Sequence, residues 1–219
     1  MIKYGHNKIF NPEKLDTHNI DRQSVDQVPY GANVLEIGCA TGFVGHYLIR
    51  KKGCEVTGVE LGYEEAVEAK KVLTKVIVGN IEHTKTQKLI TKKYNVIYAS
   101  ALIEHLKDPW SALKTWKKFL KNDGLLIVTT SNVVHWSQRI KFLSGKFEYE
   151  KYGIMDNTHL RFFTTKTFPK LITDCGYKIN KFTIDPVSGG YPKVSLLLSL
   201  FFPNLFAYQM LIVATPNGR

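Results

Sequence analysis

Cysteine is scarce in this chain: Cys39, Cys54 and Cys175 are the three in 219 residues, an odd number without C-x-x-C spacing. That excludes a disulfide framework and a paired-cysteine zinc site, and it points to a reducing compartment. Long apolar runs are also missing. The strongest, VSLLLSLFF at 194–202, is too short to span a bilayer and is stopped by Pro203. It is expected to lie buried beneath the sheet edge, with a dimer interface or a membrane surface as the other uses of such a run. The opening residues, MIKYGHNKIF, contain no apolar leader, so a cytoplasmic location is expected, with peripheral membrane contact as an option.

Acidic residues are in deficit, 19 against 30 lysines and arginines, for a formal charge of +11. Such a balance favours approach by anionic partners. The lysines are spread as pairs (51–52, 70–71, 92–93, 117–118), which suits solvated helix faces and excludes a basic nucleic-acid-binding tail.

What is present is an alternation. Val- and Ile-rich runs of strand length at about 33–37, 55–60, 75–79, 94–99 and 124–130 are separated by helical patterns near 42–52, 63–73, 84–92 and 109–121. This is the pattern of a parallel sheet covered on both faces. The helix near 109–121 is marked by Asp108 as N-cap, Pro109 in its first turn and 122–124, Asn-Asp-Gly, as terminator, with Trp110 and Trp116 expected in the core. Beyond the fifth strand come helices near 134–143 and 165–175, with strands near 177–185 and 206–214. The reading is an α/β, doubly wound, mostly parallel seven-stranded sheet in one domain, 1–219. Residues 1–30 form an N-terminal cap, 144–163 an inserted lid after the fifth strand, and 186–206 a second substrate-side insertion.

Ligands of such sheets sit at the carboxyl ends of the strands, near the point where strand order reverses. The stretch VLEIGCATGFVGHYL at 34–48 is the first strand with its turn. A dinucleotide fingerprint, G-x-G-x-x-G, would fall on Gly38, Ala40 and Phe43, and its third position fails. Glu36 also places a carboxylate where a pyrophosphate would put its own charge. A cationic ligand without phosphate suits this turn better, and Gly38, Ala40 and Gly42 permit close backbone approach. Glu60, ending VTGVE at 56–60, can accept from both hydroxyls of a ribose, or it can cap a loop.

EIGCATG (36–42) followed by VTGVE resembles the first two motifs of class I S-adenosylmethionine-dependent methyltransferases. VGNI (78–81), YNVIYASALIEHLKDP (94–109) and LKNDGLLIVTTSN (120–132) are similar to the family's third, fourth and fifth strand motifs, in the family's order. The resemblance implies a Rossmann-like methyltransferase fold and S-adenosylmethionine as cofactor. It implies cofactor contacts from Glu36, Gly38, Cys39, Ala40, Thr41, Gly42, Glu60, Leu61, Asn80, Ile81, Ala99 and Ser100. Ala40 stands where the family usually has glycine, and Asn80, which would meet the adenine amino group, where aspartate is common.

Methyl transfer from a sulfonium needs alignment above all, and a base only where the acceptor must lose a proton. His105 and His159 are the candidate bases, and Asp156 and Arg161 the candidate substrate contacts. The segment 147–164 and NLFAYQ at 204–209 are similar to bacterial methyltransferases of the type 11 and 12 groups that accompany cell-surface polysaccharide genes. That implies O-methylation of a sugar, free or on a lipid carrier, so the acceptor is expected to be a small molecule or glycan. The related ubiquinone-pathway O-methyltransferases carry a further acid three residues before their Glu-His pair; here that position is Ala101, and no metal is expected. A nucleic-acid acceptor lacks its Asn/Asp-Pro-Pro-aromatic motif. A chain that binds the cofactor without catalysis is the other alternative.

Overall fold

The computed structural model describes residues 10–188 and 191–217. The N-terminal decapeptide read for a leader lies, but for Phe10, outside them. Seven strands run β1 (Asn33–Ile37), β2 (Glu55–Glu60), β3 (Lys75–Val78), β4 (Tyr94–Ala99), β5 (Leu120–Ser131), β6 (Tyr177–Asp185) and β7 (Gln209–Pro216). They form one sheet in the order β3-β2-β1-β4-β5-β7-β6, with β7 antiparallel to both neighbours. The chain winds outward from β1 through β2 to β3, then returns to begin the other half at β4. The crevice between the carboxyl ends of β1 and β4 is therefore the topological switch point.

Nine α-helices cover the sheet among the described residues: α1 (Ile20–Asp26), α2 (Phe43–Lys52), α3 (Tyr63–Ala69), α4 (Thr84–Gln87), α5 (Pro109–Trp116), α6 (Trp136–Leu143), α7 (Thr167–Asp174), α8 (Pro192–Ser199) and α9 (Pro203–Phe206). The central strands alternate their side chains between two cores, as a two-faced strand must. Leu35, Ile97 and Leu126 face Leu113, Trp116 and Phe168 from α5 and α7. Val34, Val96 and Ile127 face Val25 from α1 and Leu48 from α2.

Several elements differ from the sequence expectation. The helix read at 109–121 ends at Trp116, followed by a 3-10 turn at Lys117–Phe119, and Leu120 already pairs with Tyr94. The detour at 121–124 is a register shift inside β5 and not a helix terminator. Trp116 is fully buried, but Trp110 is 41% exposed. Six residues apart on a helix, the two cannot share a face. The helices read at 63–73 and 84–92 stop at Ala69 and Gln87.

The apolar run at 194–202 is not buried. In α8, Ser195 and Ser199 turn inward, while Val194, Leu197 and Leu200 are 56%, 60% and 73% exposed. Serines four apart share one helix face, so Leu197 on the opposite side is carried outward while Leu196 and Leu198 are half-buried.

Gly58 of β2 sets the closest approach between β2 and the turn after β1. A Cβ built there would stand 2.5 Å from Cys39 Sγ and 2.7 Å from Leu73 Cδ1. Gly58→Ala is expected to destabilise the fold by about 1–3 kcal/mol through overpacking, read as a lowered midpoint in thermal or urea unfolding. An unchanged midpoint would mean that Cys39 and Leu73 move aside at no cost.

Candidate active site

The turn after β1 is built from left-handed backbone. Gly38, Ala40 and Gly42 have φ of 74°, 45° and 80°. Two backbone donors, Gly38 N (2.8 Å) and Cys39 N (3.2 Å), reach Val59 O. The Glu60 carboxylate then ties two turns together: Oε2 accepts from Ala40 N at 2.8 Å and Oε1 from Gly62 N at 2.8 Å. Each oxygen keeps further acceptor capacity, so capping and ribose recognition are compatible.

Glu36 is 3% exposed, and its Oε2 has no hydrogen-bond partner. Burial raises its pKa to about 8, the Gly45 backbone opposes that rise, and the charge of Glu60 adds to it. An orphaned carboxylate oxygen at this place fits a ligand that brings a positive charge.

The ends of β3 and β4 complete the rim. Asn80 Oδ1 accepts from Glu82 N at 2.8 Å, shaping the turn that presents Ile81. Ser100 Oγ lies 2.9 Å from Thr129 Oγ1, which also accepts from Ala101 N at 2.9 Å and so holds Ala101 at φ 46°.

These rims enclose a cavity of about 680 Å³, a volume suited to one or two small molecules. Of the residues singled out in the sequence, Glu36, Gly38, Cys39, Ala40, Glu60, Leu61, Asn80, Ile81, Ser100, His105, Asp156 and His159 line it. Thr41, Gly42, Ala99 and Arg161 do not. A Cβ at Gly42 would meet Leu73 and Val72 at 3.0 Å, and Ala99 is buried in the core on the strand face opposite Tyr98 and Ser100. The exposed Arg161 guanidinium donates to Leu160 O at 3.2 Å and to Lys107 O at 2.5 Å.

The sequence reading did not single out Asp21, Glu82, Tyr98, Glu104, Ser131, Tyr208 and Gln209, which also line the cavity. Tyr98 could have been found from its two-residue spacing to Ser100, and Glu104 from its adjacency to His105. Asp21 carries no local signal. It arrives because Ser24 of α1 bonds the buried Tyr98 hydroxyl at 2.7 Å and Ile20 N donates to Asp185 at 3.1 Å.

Beyond the turn after β1, the cavity wall is a cluster of ionisable groups. The rings of His105 and His159 meet edge to face with centroids 4.7 Å apart. His159 Nδ1 lies 3.0 Å from the Ile154 carbonyl, and His105 Nδ1 lies 3.2 Å from Thr158 O and 3.0 Å from its Oγ1. Asp156 Oδ1 accepts from Thr158 N (2.8 Å) and Thr158 Oγ1 (2.7 Å). Glu104 is 2% exposed with Oε2 unpartnered. Burial pushes its pKa up to about 7, against hydrogen bonds from its own backbone, the neighbouring Thr130 hydroxyl and the Ser131 backbone, and Asp156 adds to the rise. Among the described residues no three His, Cys, Asp or Glu side chains are grouped to hold a metal ion.

Comparison with known proteins places this geometry. The family described as "Methyltransferase domain" matches residues 8–181. The chain is 33% identical over 110 residues to (S)-coclaurine N-methyltransferase of Papaver somniferum, an alignment covering 47% of this chain and 30% of that protein. It is 27% identical over 110 residues to the ubiquinone biosynthesis O-methyltransferase of Salmonella paratyphi A, covering 47% and 44%. The chain thus spans less than half the length of either relative. Among solved structures, it is similar to an S-adenosylmethionine-dependent methyltransferase of Clostridium acetobutylicum (TM-score 0.62, 13% identity, 94% of each chain). A counterpart from Archaeoglobus fulgidus gives TM-score 0.62 at 19% identity, covering 89% of this chain and 90% of that one. At these identities the two structures show a shared fold.

Glu36 gives this site a measurable proton linkage. With a pKa of about 8 its carboxyl carries a proton at pH 7, and a bound cation draws that proton off. Binding of S-adenosylmethionine at pH 7 is expected to release up to about one proton. Calorimetry in buffers of different ionisation enthalpy reads this directly, and the affinity should rise from pH 6 to about 8 and then level off. Glu36→Gln should abolish the linkage; identical heats in all buffers would contradict it.

Proposed function

The chain belongs to the methyltransferase-domain family, and from that premise we propose that it transfers the methyl group of S-adenosylmethionine to a hydroxyl of a small molecule or glycan. The observation that carries the choice of a hydroxyl is the His105–His159 pair on the cavity wall beyond the cofactor turn.

The residues at the carboxyl ends of β1, β2 and β3 hold the cofactor. Glu36 would face its cationic part, the turn at 38–42 would allow its methionine portion close to the backbone, Glu60 would accept from its ribose, and Asn80 and Ile81 would flank its adenine. The bound cofactor supplies an electrophilic methyl on a positively charged sulfur. Methylation of a hydroxyl would form an O–CH3 bond at the expense of the S–CH3 bond, whose pair would stay with sulfur, and would leave the hydroxyl proton for a base of this chain.

His159 is that base. The Ile154 carbonyl can only accept, so His159 Nδ1 carries the ring proton in the neutral form and Nε2 is the basic nitrogen. His105 packs edge-on against this ring and limits its rotation. The segment 144–163 contributes Tyr152, Gly153, Ile154, Asp156, Thr158 and His159 to the cavity and acts as the lid that excludes water.

A lipid-linked acceptor, as on a polysaccharide precursor, draws support from α8 and α9. Leu197 of α8 and Leu200, Phe201 and Phe202 of the connection between the two helices are exposed, and α9 leads into Tyr208 and Gln209 of the cavity wall. No helix among the described residues is long and apolar enough to cross a membrane, so this contact is peripheral.

His159→Ala is expected to lower methyl transfer about 10²–10⁴-fold in single-turnover assays while leaving the dissociation constant for S-adenosylmethionine unchanged. Turnover equal to that of the native protein would remove His159 from the mechanism.

A further inference from the structure

Glu82 lines the cavity at the turn after β3, and both oxygens of its carboxylate reach across to another part of the chain. Oε1 accepts from Asp108 N at 2.9 Å and Oε2 from Lys107 N at 3.3 Å. A carboxylate holding two adjacent backbone N–H groups is fixed in direction as well as position, and such charge-assisted bonds are roughly twice as strong as neutral ones. Glu82 N, meanwhile, donates to Asn80 Oδ1 at 2.8 Å. The residue that shapes the turn beside the assigned adenine position therefore also holds the loop that follows β4.

That loop in turn carries the segment of His159. Leu160 N and Arg161 N donate to Glu104 O at 2.8 and 3.0 Å. The Arg161 guanidinium donates to Lys107 O at 2.5 Å and to Leu160 O at 3.2 Å, stapling loop and segment together on one side. On the other side His105 Nδ1 lies 3.0 Å from Thr158 Oγ1. The carboxyl of Asp108 is held below the usual range by its hydrogen bonds to Ser111, with the charge of Arg161 as a smaller cause. Lys107 is the meeting point: Glu82 holds its N–H and Arg161 its carbonyl.

A cap on the entry to α5 would also account for the Glu82 bonds. Capping alone, however, would leave the segment of His159 indifferent to Glu82, and that difference is measurable. It matters for chemistry because a general base must stay within hydrogen-bond reach of the proton it takes, and a displacement of about 1 Å can cost about 10²-fold in rate.

We propose that Glu82 and Arg161 are positioning residues, the two ends of one clamp through Lys107: Glu82 fixes the loop at 104–108 to the turn after β3, and Arg161 fixes that loop to the segment at 158–161. Cofactor bound against the turn at 80–82 thereby steadies the His159 ring on the acceptor side. Neither side chain handles the reacting atoms. The link to the cofactor rests on the methyltransferase reading above; the clamp itself does not.

Backbone amide hydrogen exchange, resolved by residue with NMR, tests the clamp in the full chain without any acceptor. In Glu82→Ala the amides at positions 160 and 161 should exchange about tenfold faster or more than in the native protein, while those of β1 and β4 keep native rates. Arg161→Ala, a change at an exposed residue, should speed the same amides. The double variant should add little to the larger single effect, since both changes cut one link. Glu82→Gln, which keeps an acceptor oxygen without the charge, should recover part of the protection. S-adenosylmethionine should slow exchange at positions 107, 108, 160 and 161 of the native protein, and in Glu82→Ala that protection should stop at the turns after β1, β2 and β3. Native exchange at 160 and 161 in Glu82→Ala, additive effects in the double variant, or cofactor protection of 160 and 161 that survives Glu82→Ala would each overturn the proposal. Should Glu82→Ala fail to fold, native exchange at these positions in Arg161→Ala would overturn it equally. Failure of the native chain to bind S-adenosylmethionine would overturn the methyltransferase reading, while exchange in the unliganded variants still decides the clamp.

Discussion

The close contact between the turn after β1 and the end of β2 organises the rest of the molecule. Cys39 packs onto Gly58, the Gly38 and Cys39 amides bond to Val59 O, and Glu60 accepts from Ala40 N on one oxygen and Gly62 N on the other. Three residues of the turn adopt φ near +45° to +80°, a conformation costly for Ala40 and available to the glycines. Because β1 and β4 diverge at this point in the sheet order, the same contact that shapes the turn also opens the cavity. Fold and site are in this sense one constraint.

The second organising feature is electrostatic. Among the described residues no lysine or arginine lines the cavity, and Asp21, Glu36, Glu60, Glu82, Glu104 and Asp156 make its wall acidic. Buried carboxylates are tolerated because two of them, Glu36 and Glu104, have pKa values raised toward neutrality by burial. An acidic wall of this kind suits a cationic ligand better than a phosphate.

How far the sequence alone carried the reading follows from how local each signal is. The five parallel strands and the tight turn after β1 were legible because Val/Ile runs, small residues and strand-end acids lie within a few positions of one another. His105 and His159 stood out as residue types, but their meeting on the cavity wall depends on the 156–161 segment folding back onto Glu104. Asp21 was illegible because α1 is positioned by Tyr98 and Asp185, which are 74 and 165 residues away from their α1 partners. The run at 194–202 misled because hydrophobicity was weighed without phase: Ser195 and Ser199 mark the inward face of α8, which leaves Val194 and Leu197 outside. Arg161 misled for a similar reason, its charge being spent on the Lys107 and Leu160 carbonyls.

The most direct test of the central claim, that the crevice at the ends of β1, β2 and β3 is shaped for a cationic, phosphate-free nucleoside, is titration calorimetry of the purified chain with S-adenosylmethionine and, separately, with NAD. Saturable one-to-one binding of the first and none of the second is the predicted result. Binding of NAD, or of neither, would contradict the assignment of the turn and of the acids beside it.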